Sequence, residues 1–157
     1  MTESLNPLPF RLNVPGRDTV GLGGIESVSY RVSGLLRLAD QSVTLEWTGT
    51  RTTEQVTLDK IGTDVDEFPL EWMELPFGRI AGAWVIGGWW WPRFELRALG
   101  KNDFIGVPST RGVTLRLRIH WRDRSLAAAL ASEIEARVAA AVWGFENRPR
   151  SRAADAE

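Results

Sequence analysis

His120 is the only histidine in the chain, and there is no cysteine. A protein metal site needs several ligands, so with one imidazole and no thiolate only carboxylates remain to build one. The stretch "TDVDEF" offers Asp64, Asp66 and Glu67. It lacks the glycine and the distal glutamate of a calcium loop, and it reads as a solvated acidic surface loop. Thiolate nucleophiles and disulfides are excluded outright. A Ser-His-Asp arrangement needs a histidine held between nucleophile and carboxylate. His120 instead alternates outward between Ile119 and Trp121. "GLGGIE" at 21–26 has the glycines of a phosphate loop, but no strand–helix–strand unit surrounds it and no helix N-terminus follows. A flexible linker is the expectation there. Glu71 and Glu74 are not set by any pattern as an acid–base pair. No catalytic residue, metal or cofactor is therefore expected, and the chain is not expected to be an enzyme.

What remains is tryptophan and arginine. Eight tryptophans stand at 47, 72, 84, 89, 90, 91, 121 and 143, three of them consecutive in "GGWWWP". In the strand that begins at Arg93, Phe94 and Leu96 alternate with Arg93, Glu95 and Arg97. Extending that parity backwards turns Trp90 inward and leaves Trp89 and Trp91 outside, at the rim. Trp47, Trp84 and Trp121 fall on inward parity, and Trp143 lies at the end of a helix. Arg93, Arg97, Arg116 and Arg118 make a basic outer face on neighbouring strands. With Trp89 and Trp91 they form the candidate binding set. Exposed tryptophan pairs call for a cover: the proline-rich N-terminal segment, another subunit, a partner peptide or a membrane interface. Stacking on Trp and Arg would suit single-stranded nucleic acid. A net charge of −1 gives the whole molecule no electrostatic reach toward it, so nucleic acid is not expected.

These side chains need a scaffold. At 157 residues the chain is most simply one domain, large enough for a real core. Residues 1–27, with Pro7, Pro9 and Pro15 and then "GLGG", are expected to be extended or looped. The folded domain is expected over 28–143, and 144–157 reads as a polar, disordered tail. Period-two alternation predicts a strand from Tyr30 to Leu38, a turn at Ala39–Ser42, and a return strand through Val43, Leu45 and Trp47. Shorter strands follow at "EQVTLDK", "AGAWVIGG", "PRFELRA" and "NDFIGVPS", and "STRG" at 109–112 reads as a turn. "VTLRLRIHW" is the clearest strand, with Val113, Leu115, Leu117, Ile119 and Trp121 facing in. The period then changes to 3.6. Asp123 is the expected N-cap, Gly144 the expected stop, and Leu126, Leu130, Ile134 and Val138 form one stripe. Burying those four contributes roughly 6–12 kcal/mol before entropy is subtracted. The N-terminus lacks the basic and apolar regions of a signal peptide, and no apolar run is long enough to cross a membrane. A cytoplasmic location is expected.

About seven strands followed by one amphipathic helix resembles the pleckstrin-homology-like (PH-like) domains, closest to the small bacterial members. The matching stretches are "SGLLRLADQSVTLEW", "ELPFGRIAGAWVIGGWWWPRFELRAL" and "VTLRLRIHWRDRSLAAALASEIEARVAA", over roughly residues 30–142. The resemblance implies a bent seven-stranded barrel or sandwich capped by the helix. Lipid-binding members of that class grip inositol phosphates with basic residues in the loop joining the first two strands. Here that loop is Ala39-Asp40-Gln41-Ser42, with no cation and with Arg37 alone before it. Selective phosphoinositide binding is therefore not expected. The expected function is a non-catalytic interaction or scaffold domain that binds a protein segment or self-associates through the Trp rim. The alternative is a small apolar ligand or a lipid interface bound in the barrel or helix groove. A partner binder should show an apolar groove between sheet and helix, and a ligand carrier an enclosed cavity.

Overall fold

The computed structural model describes residues 5–108 and 112–146. The strands are β1 Leu8–Gly21, β2 Gly24–Leu38, β3 Ser42–Val56, β4 Ile61–Pro76, β5 Ile80–Ile86, β6 Arg93–Ala98 and β7 Thr114–Arg118, and helix α1 covers Arg124–Glu146. The strands form a single antiparallel sheet in the order β4-β3-β2-β1-β7-β6-β5. Mainly β with one C-terminal helix is thus the class this chain adopts. The sheet stays open: β4 and β5 are its two edges and do not pair, so no closed barrel forms.

Alternation makes the strands. Leu8, Phe10 and Leu12 are buried between exposed Pro9, Arg11 and Asn13, and Phe94, Leu96 and Ala98 are buried on β6. The N-terminal prolines suggested a segment outside the domain, yet Leu8–Gly21 pairs with β2 along its length. Two features make room for them. The other side of β1 meets β7 at one register pair only, Arg11 with Arg118, and Pro15 falls within the irregularity between Val14 and Arg17. A proline's missing N–H is tolerated where the ladder is not using it. "GLGG" is the β1–β2 hairpin turn rather than a linker. Gly24 has φ +139°, and a Cβ there would run into the Val56 carbonyl.

The acidic stretch at 63–68 is not a loop but part of β4. Both faces of the sheet are largely open to solvent at this end, so polar residues on both parities hid the strand's period. Beyond the core, β1–β4 continue as a four-stranded arm. Val20, Ile25, Val56 and Ile61 share one register row across it, all exposed. The "EQVTLDK" strand ends at Val56, where Thr57 N–H donates to the Lys60 carbonyl to close the turn. "NDFIGVPS" forms turns rather than a strand, and burial of Phe104 and Val107 explains its apolar character. Of the "STRG" turn, residues 109–111 lie outside the described residues.

The core lies between the inner sheet face and α1, which packs chiefly on β5. Leu130, Ile134, Ala127 and Ala131 are buried, and Leu126 and Val138 partly so, which is the expected stripe. The helix begins differently from expectation. A 3-10 turn, Trp121–Asp123, precedes it, and His120 is that turn's N-cap, its Nδ1 accepting from the Arg122 N–H. Asp123 therefore does not cap α1. Gly144 sits within the helix rather than ending it, and residues 147–157 lie outside the described residues.

Candidate binding groove

On the face turned away from α1, β6, β7 and β1 place three arginines in one register row: Arg93, Arg118 and Arg11. Their sequence neighbours Phe94, Leu117, Leu12 and Phe10 are buried in the core, which forces the arginines outward. β1 and β7 share no other register pair, so the two halves of the sheet part on either side of it and leave an open groove of about 2060 Å³. Its lining includes Arg11, Arg93, Arg116 and Arg118 against two carboxylates, Glu46 and Asp123. Arg37 lies 3.4 Å from Glu46, and Glu95 holds Arg116 at 2.7 Å. Among the described residues, Arg11, Arg93 and Arg118 have no carboxylate within ion-pairing distance. Adjacent like charges on a sheet face repel and are destabilising.

The "GGWWWP" segment forms one wall. β5 stops at Ile86 and β6 starts at Arg93, so the residues between are a turn, with Trp91 N–H donating to the Gly88 carbonyl at 3.3 Å. Gly87 takes φ +91°, and a Cβ there would come within 2.6 Å of the Trp91 carbonyl. Buried Pro92 anchors the base by accepting from the Ile119 N–H. At the other end, Arg124 Nη1 donates to the carbonyls of Gly87 and Gly88. The strand parity does not pass through a turn. Trp90 is consequently not a core plug; it is 69% exposed, as open as Trp89 and Trp91.

The indoles and cations interlock. Trp90 and Trp121 lie 6.2 Å apart at 59°, and His120 is 5.6 Å from Trp121. The Arg118 guanidinium sits 5.9 Å from the Trp91 ring, and that of Arg122 5.1 Å from Trp121. Trp121, placed inward by its parity, is exposed because the chain leaves the sheet at Arg118 and turns into the helix. Trp47 is buried as expected, although its Nε1 has no hydrogen-bond partner among the described residues; Trp84 is only partly buried.

Of the residues singled out from sequence, Trp91, Arg93, Arg116 and Arg118 come together here. Trp89 and Arg97 do not line the groove. Sequence reasoning missed Arg11, Trp90 and Trp121. Arg11 was legible in "LPFRLN", where Leu8, Phe10 and Leu12 alternate with it. The groove also opens on the sheet face opposite the helix, not between sheet and helix, because α1 fills that space with Leu130 and Ile134. In the Ala39–Ser42 loop, the Ala39 carbonyl accepts from Arg137 Nη1 at 2.7 Å. Among the described residues, no three His, Asp or Glu side chains gather as a metal-binding group, and no helix is long and apolar enough to cross a membrane. No family model, curated protein or solved structure matches the chain.

Proposed function

We propose that this chain is a non-catalytic, PH-like binding module of the cytoplasm that holds an extended acidic polypeptide segment in its Trp–Arg groove. The observation that carries this reading is the Arg93–Arg118–Arg11 row, three aligned cations without carboxylate partners among the described residues, beside exposed Trp90, Trp91 and Trp121. A carboxylate-bearing segment would neutralise the row through charge-assisted bonds to guanidinium groups. Its apolar side chains would cover the indoles, the residue type that most often anchors protein interfaces together with arginine. The strand order and terminal helix support the PH-like assignment. An open groove suits a polypeptide better than a small apolar ligand, which calls for enclosure.

The test is a titration of tryptophan fluorescence with an acidic peptide and with its Glu→Gln counterpart. The acidic peptide should bind, weaken with salt, and lose about tenfold in affinity, roughly 1.4 kcal/mol, in Arg118→Glu or Trp91→Ala. Equal binding of the two peptides, or binding only to neutral lipid vesicles, would overturn the reading.

A further inference from the structure

The edge of the sheet farthest from β5 has the composition this groove would take. β4 carries Asp64, Asp66, Glu67, Glu71 and Glu74 and no lysine or arginine. It is already extended, its outer backbone edge is unpaired, and Trp72 is 67% exposed; Leu70, exposed as well, borders the groove of its own chain. Asp66 is held by Arg51 and Glu74 accepts from Ser42 Oγ, whereas Asp64, Glu67 and Glu71 have no ion pair among the described residues. The near-zero net charge thus conceals a division, with an acidic edge on one side and a row of arginines on the other. β4 is bound along its length to β3, so it is not free to fold back over its own arginines.

We propose, resting on the groove's reading as an acidic-segment site, that its occupant is the β4 edge of a second copy of this chain. Donor and acceptor surfaces differ, so the contact is head-to-tail and leaves a free groove and a free edge at each step. Such interfaces close into rings or propagate as filaments. Charge complementarity selects the partner, and Trp72 supplies the apolar side chain that faces the Trp wall.

The experiment is sedimentation of the full chain across concentration, at low salt and at about 1 M salt, where the Debye length is only about 3 Å. Two charge-reversed variants accompany it: Arg11→Glu with Arg118→Glu to disable the groove, and Glu67→Arg with Glu71→Arg to disable the edge. Arg11→Gln with Arg118→Gln is the gentler substitute should the first unfold, as judged by circular dichroism. Wild type should gain mass with concentration and lose it in salt. Each variant should stay monomeric alone, while their equimolar mixture should give a heterodimer that grows no further, since one retains only an edge and the other only a groove. Association that survives both variants, or a mixture that does not pair, would overturn the proposal. So would a monomeric wild type. A synthetic peptide of residues 61–76, titrated against wild type with the acidic peptide used above, separates the two readings. Peptide binding to a monomeric protein removes self-association but leaves the groove's function standing; no binding of either peptide removes both.

Discussion

Arg11 and Arg118 face each other at the one register pair that joins β1 to β7, with no carboxylate paired to either among the described residues. The sheet's two halves are therefore sewn together at a point of like-charge repulsion. Replacing Arg11 with glutamine should stabilise the unliganded protein by about 0.2–1 kcal/mol while weakening its hold on an acidic peptide. Urea denaturation and peptide titration of the same variant measure the two. The gain in stability should shrink as salt rises, and a variant less stable than wild type at low salt would count against the repulsion.

The three tryptophans of "GGWWWP" should be dispensable for folding. Each is more than half exposed, so Trp89→Ala, Trp90→Ala and Trp91→Ala should each cost under about 1 kcal/mol in chemical denaturation. Trp47→Ala, in the core, should cost about 3–5 kcal/mol. Trp47→Phe should cost less than that, because with some packing it removes a buried indole N–H that has no partner among the described residues.

Arg124 ties the first turn of the helix to the tryptophan loop through the Gly87 and Gly88 carbonyls, both at 3.3 Å. Arg124→Ala should cost about 0.5–1.5 kcal/mol of stability. It should also raise acrylamide quenching of the loop tryptophans, since their turn would lose its only link to the helix visible among the described contacts. Unchanged quenching would show that Pro92 and the Trp90–Trp121 and Arg118–Trp91 contacts hold the loop without Arg124.

Asp103 accepts from Arg79, which lowers its carboxyl pKa, and the Gly100 N–H adds to that effect. A carboxyl with a lowered folded-state pKa stabilises the protein above its unfolded value of about 3.9, and that contribution is lost as pH falls through the lower folded value. Asp103→Asn should therefore be less stable than wild type at neutral pH, and the gap should narrow as pH drops below about 4. Denaturation series at pH 7 and pH 3 on both proteins decide it.

Strands with one buried face declared themselves in the sequence. Val32 and Leu36, Val43 and Leu45, Phe94 and Leu96, and Leu115 and Leu117 all alternate as expected and are buried, as are Leu130 and Ile134 on the helix stripe. Legibility failed where burial stopped supplying the period. In the arm, neither parity is held in a core, so β4 passed for an acidic loop and the end of β1 for a linker. The start of β1 does alternate, with Leu8, Phe10 and Leu12 buried, and its prolines hid it. At Trp90 and Trp121 the failure was different in kind. A strand's parity was carried across a chain reversal, where the backbone no longer alternates. Two of the three exposed indoles in the groove wall, Trp90 and Trp121, are such residues. The groove's arginine floor, lying within regular strands, was legible apart from Arg11.

The row Val20–Ile25–Val56–Ile61 lies at the far end of strands whose other halves are clamped by the core. In mechanical terms the sheet is a cantilever, fixed where Val32 and Trp47 are buried and held beyond by ladder hydrogen bonds and exposed side-chain pairs such as Arg51–Asp66. Opening from the free end breaks ladder bonds but uncovers little apolar surface, so it costs far less than global unfolding. Amide protons should therefore exchange on a gradient along β2 and β3, fastest near Ile25 and Val56 and slowest near Leu36 and Leu45. A single continuous ladder would then contain both the fastest-opening and the slowest-opening backbone of the molecule.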